Sequence, residues 1–163
     1  MNQSRLELRL ASEGSSLLPI AAELMREYQL GLGVDLCFQD FEAELAQLPG
    51  KYSEPEGCLL VGFIDGFPAA VGGLRPLEDA VEIKRMFIRS QFRGQGLGRE
   101  LMQRLLDEAR RRGHRRVVLD TLGRLTPAVA LYRSFGFQEI EPYNYNPEDD
   151  VRYFELDLAA PEP

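Results

Sequence analysis

The sequence predicts a mixed α/β domain. Its 163 residues suit one domain with a substantial buried core. Strand-like and helix-like runs follow one another in the order strand, two helices, hairpin, strand, helix, strand, helix, two strands. A glycine-rich loop, Arg93-Gly94-Gln95-Gly96-Leu97-Gly98, joins one of those strands to one of those helices.

Each element has a local cause. Leu6–Leu10 alternates apolar and polar residues, the pattern of a half-buried strand. Residues 19–32 place Ile20, Leu24, Met25 and Tyr28 near helical spacing, and Pro19 suits a helix start. Residues 38–48 predict a second short helix with Phe41, Leu45 and Leu48 on one side, stopped by Pro49-Gly50. Cys58–Ile64 and 67–74 are apolar runs on either side of Asp65-Gly66, a strong hairpin turn signal. Residues 81–89 are the next strand, and the helix after the loop runs over 98–112 with Gly113 as its stop. Val117, Val118 and Leu119 predict a strand over 116–121. A helix over 126–135 follows, with Pro127 in its first turn, and residues 137–140 and 151–158 close the order. The domain is expected to span 1–158, with 159–163 as a frayed tail.

Composition bounds the function. Hydrophobic content of 44% and charged content of 28% are ordinary for a soluble globular chain. No apolar run is long enough to span a bilayer and no signal-peptide core follows Met1, so a cytoplasmic location without membrane contact is the expectation. Cys37 and Cys58 fit a reducing compartment and lack metal-type spacing, and His114 is the one histidine. No metal is therefore expected. His114 itself, just past the helix stop, is expected to be exposed and inert.

The net charge of −7 is unevenly spread. Residues 1–80 hold five basic and 13 acidic groups, residues 84–116 hold 11 basic and three acidic, and residues 117–163 hold three basic and nine acidic. The basic block surrounds the glycine loop and agrees with an anionic ligand there, while most of its arginines suit a solvated helix face. An acidic chain whose basic run carries no interleaved aromatics is a poor nucleic-acid binder.

The loop itself is an anion cradle. Glycines let backbone approach a ligand, and a helix N-terminus offers unpaired N–H groups and the positive dipole end. Phosphate or pyrophosphate is the natural occupant. A dinucleotide-binding unit is one reading, with Asp120 as the ribose acid, but Arg99 stands where the third fingerprint glycine belongs. A Walker loop is excluded, because no Lys-Ser/Thr pair follows the glycines.

Two motifs in order are more specific. Arg93-x-x-Gly96-x-Gly98 resembles the acyl-CoA pyrophosphate motif of the GNAT acetyltransferase superfamily. Ala128-x-x-Leu131-Tyr132-x-x-x-Gly136-Phe137 resembles its second signature. The resemblance covers residues 81–137, about a third of the chain. It implies a single domain with a mostly antiparallel mixed sheet, splayed between its fourth and fifth strands and flanked by about four helices. It further implies an acetyl-CoA-dependent N-acetyltransferase, with acetyl-CoA as co-substrate and an amine of a small molecule, amino acid or peptide as acceptor. Relatives often dimerise, so a homodimer stays open. Transfer of another acyl group, or a non-catalytic acyl-CoA sensor, are the alternatives.

Residue by residue, the resemblance places the pantetheine arm against Met86, Phe87 and Ile88. It places the pyrophosphate on the N–H groups of Arg93, Gly94, Gln95, Gly96, Leu97, Gly98 and Arg99. Tyr132 matches the position that protonates the departing thiolate, a role open to a phenol with a reference pKa of about 10. Glu82 matches a general base. Leu125 departs from the pattern, standing where many members carry a cofactor-contacting Asn. Acceptor selection is expected from residues 31–39, 49–52 and 143–147, with Glu148, Asp149 and Asp150 as a solvated acidic loop and Arg75 and Arg124 as surface groups.

Overall fold

In the computed structural model, which describes residues 5–33 and 40–159, the chain runs β1 (Leu6–Leu10), α1 (Leu18–Leu32), α2 (Phe41–Ala46), β2 (Cys58–Ile64), β3 (Phe67–Pro76), β4 (Val81–Ile88), α3 (Leu97–Arg111), β5 (Arg116–Leu122), α4 (Thr126–Ser134), β6 (Gln138–Ile140) and β7 (Val151–Asp157). Single 3-10 turns lie at Gly50–Tyr52 and Ser90–Phe92. The expected element order and fold class are both present. The beginning of the expected second helix, Cys37, and residues 160–163 of the expected tail lie outside the described residues.

Local chemistry explains the boundaries. Pro19 sits in the first turn of α1, where a missing N–H costs nothing. Asp65 and Gly66 both take positive φ, as a tight hairpin turn between twisted strands requires. At the end of α3, Gly113 N–H donates to Arg110 O and His114 N–H to Ala109 O, which closes the helix in a Schellman motif.

The seven strands form one sheet in the order β1-β2-β3-β4-β5-β7-β6. Every pairing is antiparallel except β4 with β5. That parallel pair holds register only at Val81↔Val117 and Glu82↔Val118, after which the strands diverge. Meanwhile β4 stays bound to β3 as far as Ala70↔Ile88, and β5 stays bound to β7 along its length. The sheet is therefore split in its middle, between the C-terminal halves of β4 and β5.

Side-chain alternation builds a core on each face. Cys58 and Leu60 of β2 join a cluster with Leu101, Met102, Leu105 and Leu106 of α3. Leu59, Val61 and Phe63 join Ala21, Leu24 and Met25 of α1 and Phe41 of α2 in the other. β2 is buried throughout because both faces are covered. Between Val71↔Phe87 and Gly73↔Lys84 the β3–β4 register shifts, and Arg85 takes φ 58°. This bulge in β4 lies beside the split.

Candidate functional site

The split is floored by β4 and closed at one end by the glycine loop. Gly94 and Gly96 both have φ 79°, a conformation that side chains rarely adopt. Gly96 is the N-cap of α3, so the helix leaves the N–H groups of Leu97, Gly98 and Arg99 without intrahelical acceptors. At Gly98 a Cβ would make an ordinary contact, 3.5 Å from Leu131 Cδ2 of α4. Cβ atoms at Gly94 or Gly96 would meet no protein atom within 4 Å, so the loop faces open space.

That space is a cleft of about 410 Å³, within the usual range for a ligand site. Met86, Phe87, Ile88, Arg93, Gly94, Gly96, Leu97 and Gly98 line it, and Tyr132 stands in its wall. Gln95 and Arg99 do not line it. Arg99 turns to α4, where it donates to Ser134 Oγ at 2.8 Å and stacks 4.9 Å over Phe135. Arg93 folds back on β4, donating to Ile88 O at 3.0 Å with its guanidinium over the Phe87 ring.

Tyr132 belongs to two spaces at once. It also lines a smaller hollow with Tyr28, Lys84, Asp120, Thr121 and Glu148. Burial pushes its phenol pKa well above the ordinary value, Tyr28 and Asp120 add to the rise, and a hydrogen bond with the Thr121 side chain opposes it. The hydroxyl stays protonated at neutral pH.

Glu82 is buried at the last rung before the split opens. Its Oε2 accepts from the Tyr143 hydroxyl at 2.6 Å, and Arg75 Nη1 lies 3.5 Å from Oε1. It lines neither the cleft nor the hollow. Burial, then the charges of Glu82 and Asp120, raise the Tyr143 pKa far above the phenol range, so Tyr143 serves Glu82 as a fixed donor.

Residues 19–137 match the sequence model of the Acetyltransferase (GNAT) family. The chain belongs to the GNAT family. It is 39% identical over 140 residues to an uncharacterized N-acetyltransferase of Schizosaccharomyces pombe, a match covering 83% of this chain and 85% of that one. Its fold is similar to that of an acetyltransferase from Streptococcus agalactiae, with a TM-score of 0.76, 21% identity, and coverage of 96% and 100%. A putative acetyltransferase of Salmonella typhimurium, solved with acetyl-CoA, aligns with a TM-score of 0.69, 22% identity, and coverage of 97% and 98%.

This GNAT acyltransferase carries site residues that motif reading did not single out. Asp120 was legible only as a possible ribose acid, yet it lies in the hollow beside Tyr132 rather than against the glycine loop, and it accepts from Asn144 Nδ2 at 3.1 Å. A carboxylate closing the apolar run Val117-Val118-Leu119 was the available signal. Glu148 also lines this hollow, and both it and Asp150 pair with Arg124. Leu125, in place of the family Asn, lines both spaces with an apolar side chain. His114 is partly buried, its Nε2 lies 2.7 Å from Glu56 O, and it lines neither the cleft nor the hollow. Arg75 is partly exposed, pairs with Glu82 and lines an open hollow with Lys51 and Asn144.

Among the described residues no group of His, Cys, Asp or Glu could hold a metal ion, and no helix is long and apolar enough to cross a membrane. Of the segments expected to select the acceptor, Gly31 lines the cleft, Lys51 and residues 144–146 line the hollows, and residues 34–39 lie outside the described part.

Proposed function

We propose that this GNAT member is an N-acetyltransferase that uses acetyl-CoA and acetylates a primary amine. One observation supports the reading: Tyr132 lines both the glycine-loop cleft and the hollow that holds Asp120, so it stands between a donor site and an acceptor site. The cleft fits the co-substrate, because the N–H groups at the start of α3 suit a pyrophosphate and the apolar wall from Met86 to Leu131 suits a slender arm. Acetyl-CoA, when bound, supplies an activated acetyl thioester.

The chain's residues then have separate tasks. Backbone N–H groups of β4 along the split polarise the carbonyl. Asp120 faces the hollow and takes the proton that an ammonium acceptor must lose, directly or through water. Tyr132 keeps its proton until sulfur departs and then donates it. Burial raises the proton affinity of a departing thiolate in the same direction as it raises that of the phenol. Glu82 is a positioning residue that anchors Tyr143, and through it the segment bearing Asn144 and Asn146.

Tyr132→Phe tests the reading. Thiol release should fall about 100-fold or more while acetyl-CoA affinity by calorimetry holds within twofold. Unchanged turnover would remove Tyr132 from the chemistry.

A further inference from the structure

We propose that the chain seats its donor's acyl group in an apolar junction and binds propionyl-CoA in preference to acetyl-CoA, with Leu125 as the residue that sets the preference. The proposal rests on the acetyltransferase reading above and adds a second acyl donor to it. Six residues line both the glycine-loop cleft and the hollow that holds Asp120: Tyr28, Leu32, Met86, Leu125, Ala128 and Tyr132. In that reading the donor's sulfur takes its proton from Tyr132. The acyl carbon bonded to that sulfur therefore falls at this junction.

None of the six carries a charge at neutral pH. Four have apolar side chains, and the two phenols keep their protons. Burial raises the Tyr28 pKa, with Arg85 opposing the rise and Asp120 adding to it, and burial is also the leading cause for Tyr132. The Tyr28 ring packs on Phe87 of β4 with 5.7 Å between centroids. Lys84, Arg85, Asp120 and Glu148 line the hollow but not the cleft, so the charged groups stop short of the junction.

Leu125 is out of place by the rules of local structure. It is the N-cap of α4, where its carbonyl accepts from Val129 N–H at 3.1 Å, and no side chain caps the helix. Asn, Asp, Ser and Thr stabilise a helix start, and Leu does not. Nor does packing account for it. Leu125 is only partly buried and belongs to neither core, and the same is true of Leu32. Both leave apolar surface in the junction, where a ligand can cover it.

An apolar wall discriminates by the apolar surface it covers. One methylene fully removed from water contributes about fourfold in affinity. A carboxylate in the same place loses its hydration with no charged partner at the junction. Propionyl therefore gains on acetyl, and malonyl loses. The bond changes are those of acetyl transfer: C–N forms, C–S breaks, Asp120 takes one proton from the ammonium, and the thiolate takes the Tyr132 proton, which the amide nitrogen restores.

The test needs no acceptor. The full chain is titrated calorimetrically with CoA, acetyl-CoA, propionyl-CoA and malonyl-CoA. Propionyl-CoA should bind about two- to fourfold tighter than acetyl-CoA. It should bind about ten-fold or more tighter than malonyl-CoA. Leu125→Asn supplies a helix cap, so it should melt no lower than the natural chain, while the propionyl-to-acetyl ratio falls to about one. Leu125→Met, apolar and of similar volume, should keep the ratio. Each reading compares donors on one protein, so a general change in CoA affinity cancels. Propionyl-CoA bound no tighter than acetyl-CoA, malonyl-CoA bound as tightly as propionyl-CoA, a preference that survives Leu125→Asn, or one lost in Leu125→Met overturns the proposal and leaves the acetyltransferase reading standing. Failure to bind CoA and every acyl-CoA overturns both.

Discussion

At the scale of single residues, the mechanism and the framework depend on different charges. Asp120→Asn should lower kcat/KM about 100-fold at neutral pH and leave acetyl-CoA affinity unchanged. Glu82→Gln should act differently, since Glu82 reaches the acceptor site through Tyr143. It is expected to raise the acceptor KM more than it lowers kcat, and steady-state kinetics on the two variants separate these roles. Glu44 belongs to the framework. Burial alone would raise its pKa, but Arg85 and Lys51 hold it at about 2. A depressed carboxylate contributes stability above its unfolded pKa of about 4.3 and loses it as pH falls through the folded value. Denaturant melts between pH 5 and pH 2 should therefore show a decline of up to about 3 kcal/mol from this group. Arg85→Met, which strands a buried carboxylate, should cost about 3–5 kcal/mol at neutral pH.

At the scale of elements, the glycine loop is the most sensitive segment. Gly96→Ala places a Cβ on a residue with φ 79° at the N-cap of α3. It should cost about 1 kcal/mol or more in stability and weaken acetyl-CoA binding about ten-fold, readable by melting and calorimetry. This loop was legible in the sequence because glycine spacing, a preceding strand and a following helix all stand in one continuous stretch. The hairpin at Asp65-Gly66 and the helix stop at Gly113 were legible for the same reason. The bulge was not. Lys84-Arg85 breaks the alternation of β4, but only the shifted register against β3 shows that both cations turn to one side. Asp120 likewise reads as one polar residue in an apolar strand until β5 parts from β4 and the hollow opens. Glu82 matched a family pattern, yet its contacts come from Arg75 and Tyr143, seven and 61 residues away. Spacing along a chain carries local geometry and is silent about such distant partners.

At the scale of the whole molecule, the two cores on opposite faces of one sheet hold the split open while each half of the sheet stays fully paired. A ligand bound only by the folded chain stabilises it by mass action, about 2.7 kcal/mol at a hundred times Kd. For a chain of this size, saturating acetyl-CoA should raise Tm by about 5–10 °C in a thermal melt. Adenosine alone, lacking pyrophosphate and pantetheine, should give little or no rise.

Most sheets end at their margins, and this one also ends in its interior. Beyond Glu82 and Val118, β4 and β5 face each other without registered partners. Exposed strand edges tend to recruit other chains and so seed aggregation. Here the inner edges are recessed, with Tyr28 and Leu32 of α1 on one side and Ala128 and Leu131 of α4 on the other. The helices that line the space for a ligand thus also cover these edges against strand pairing with another chain.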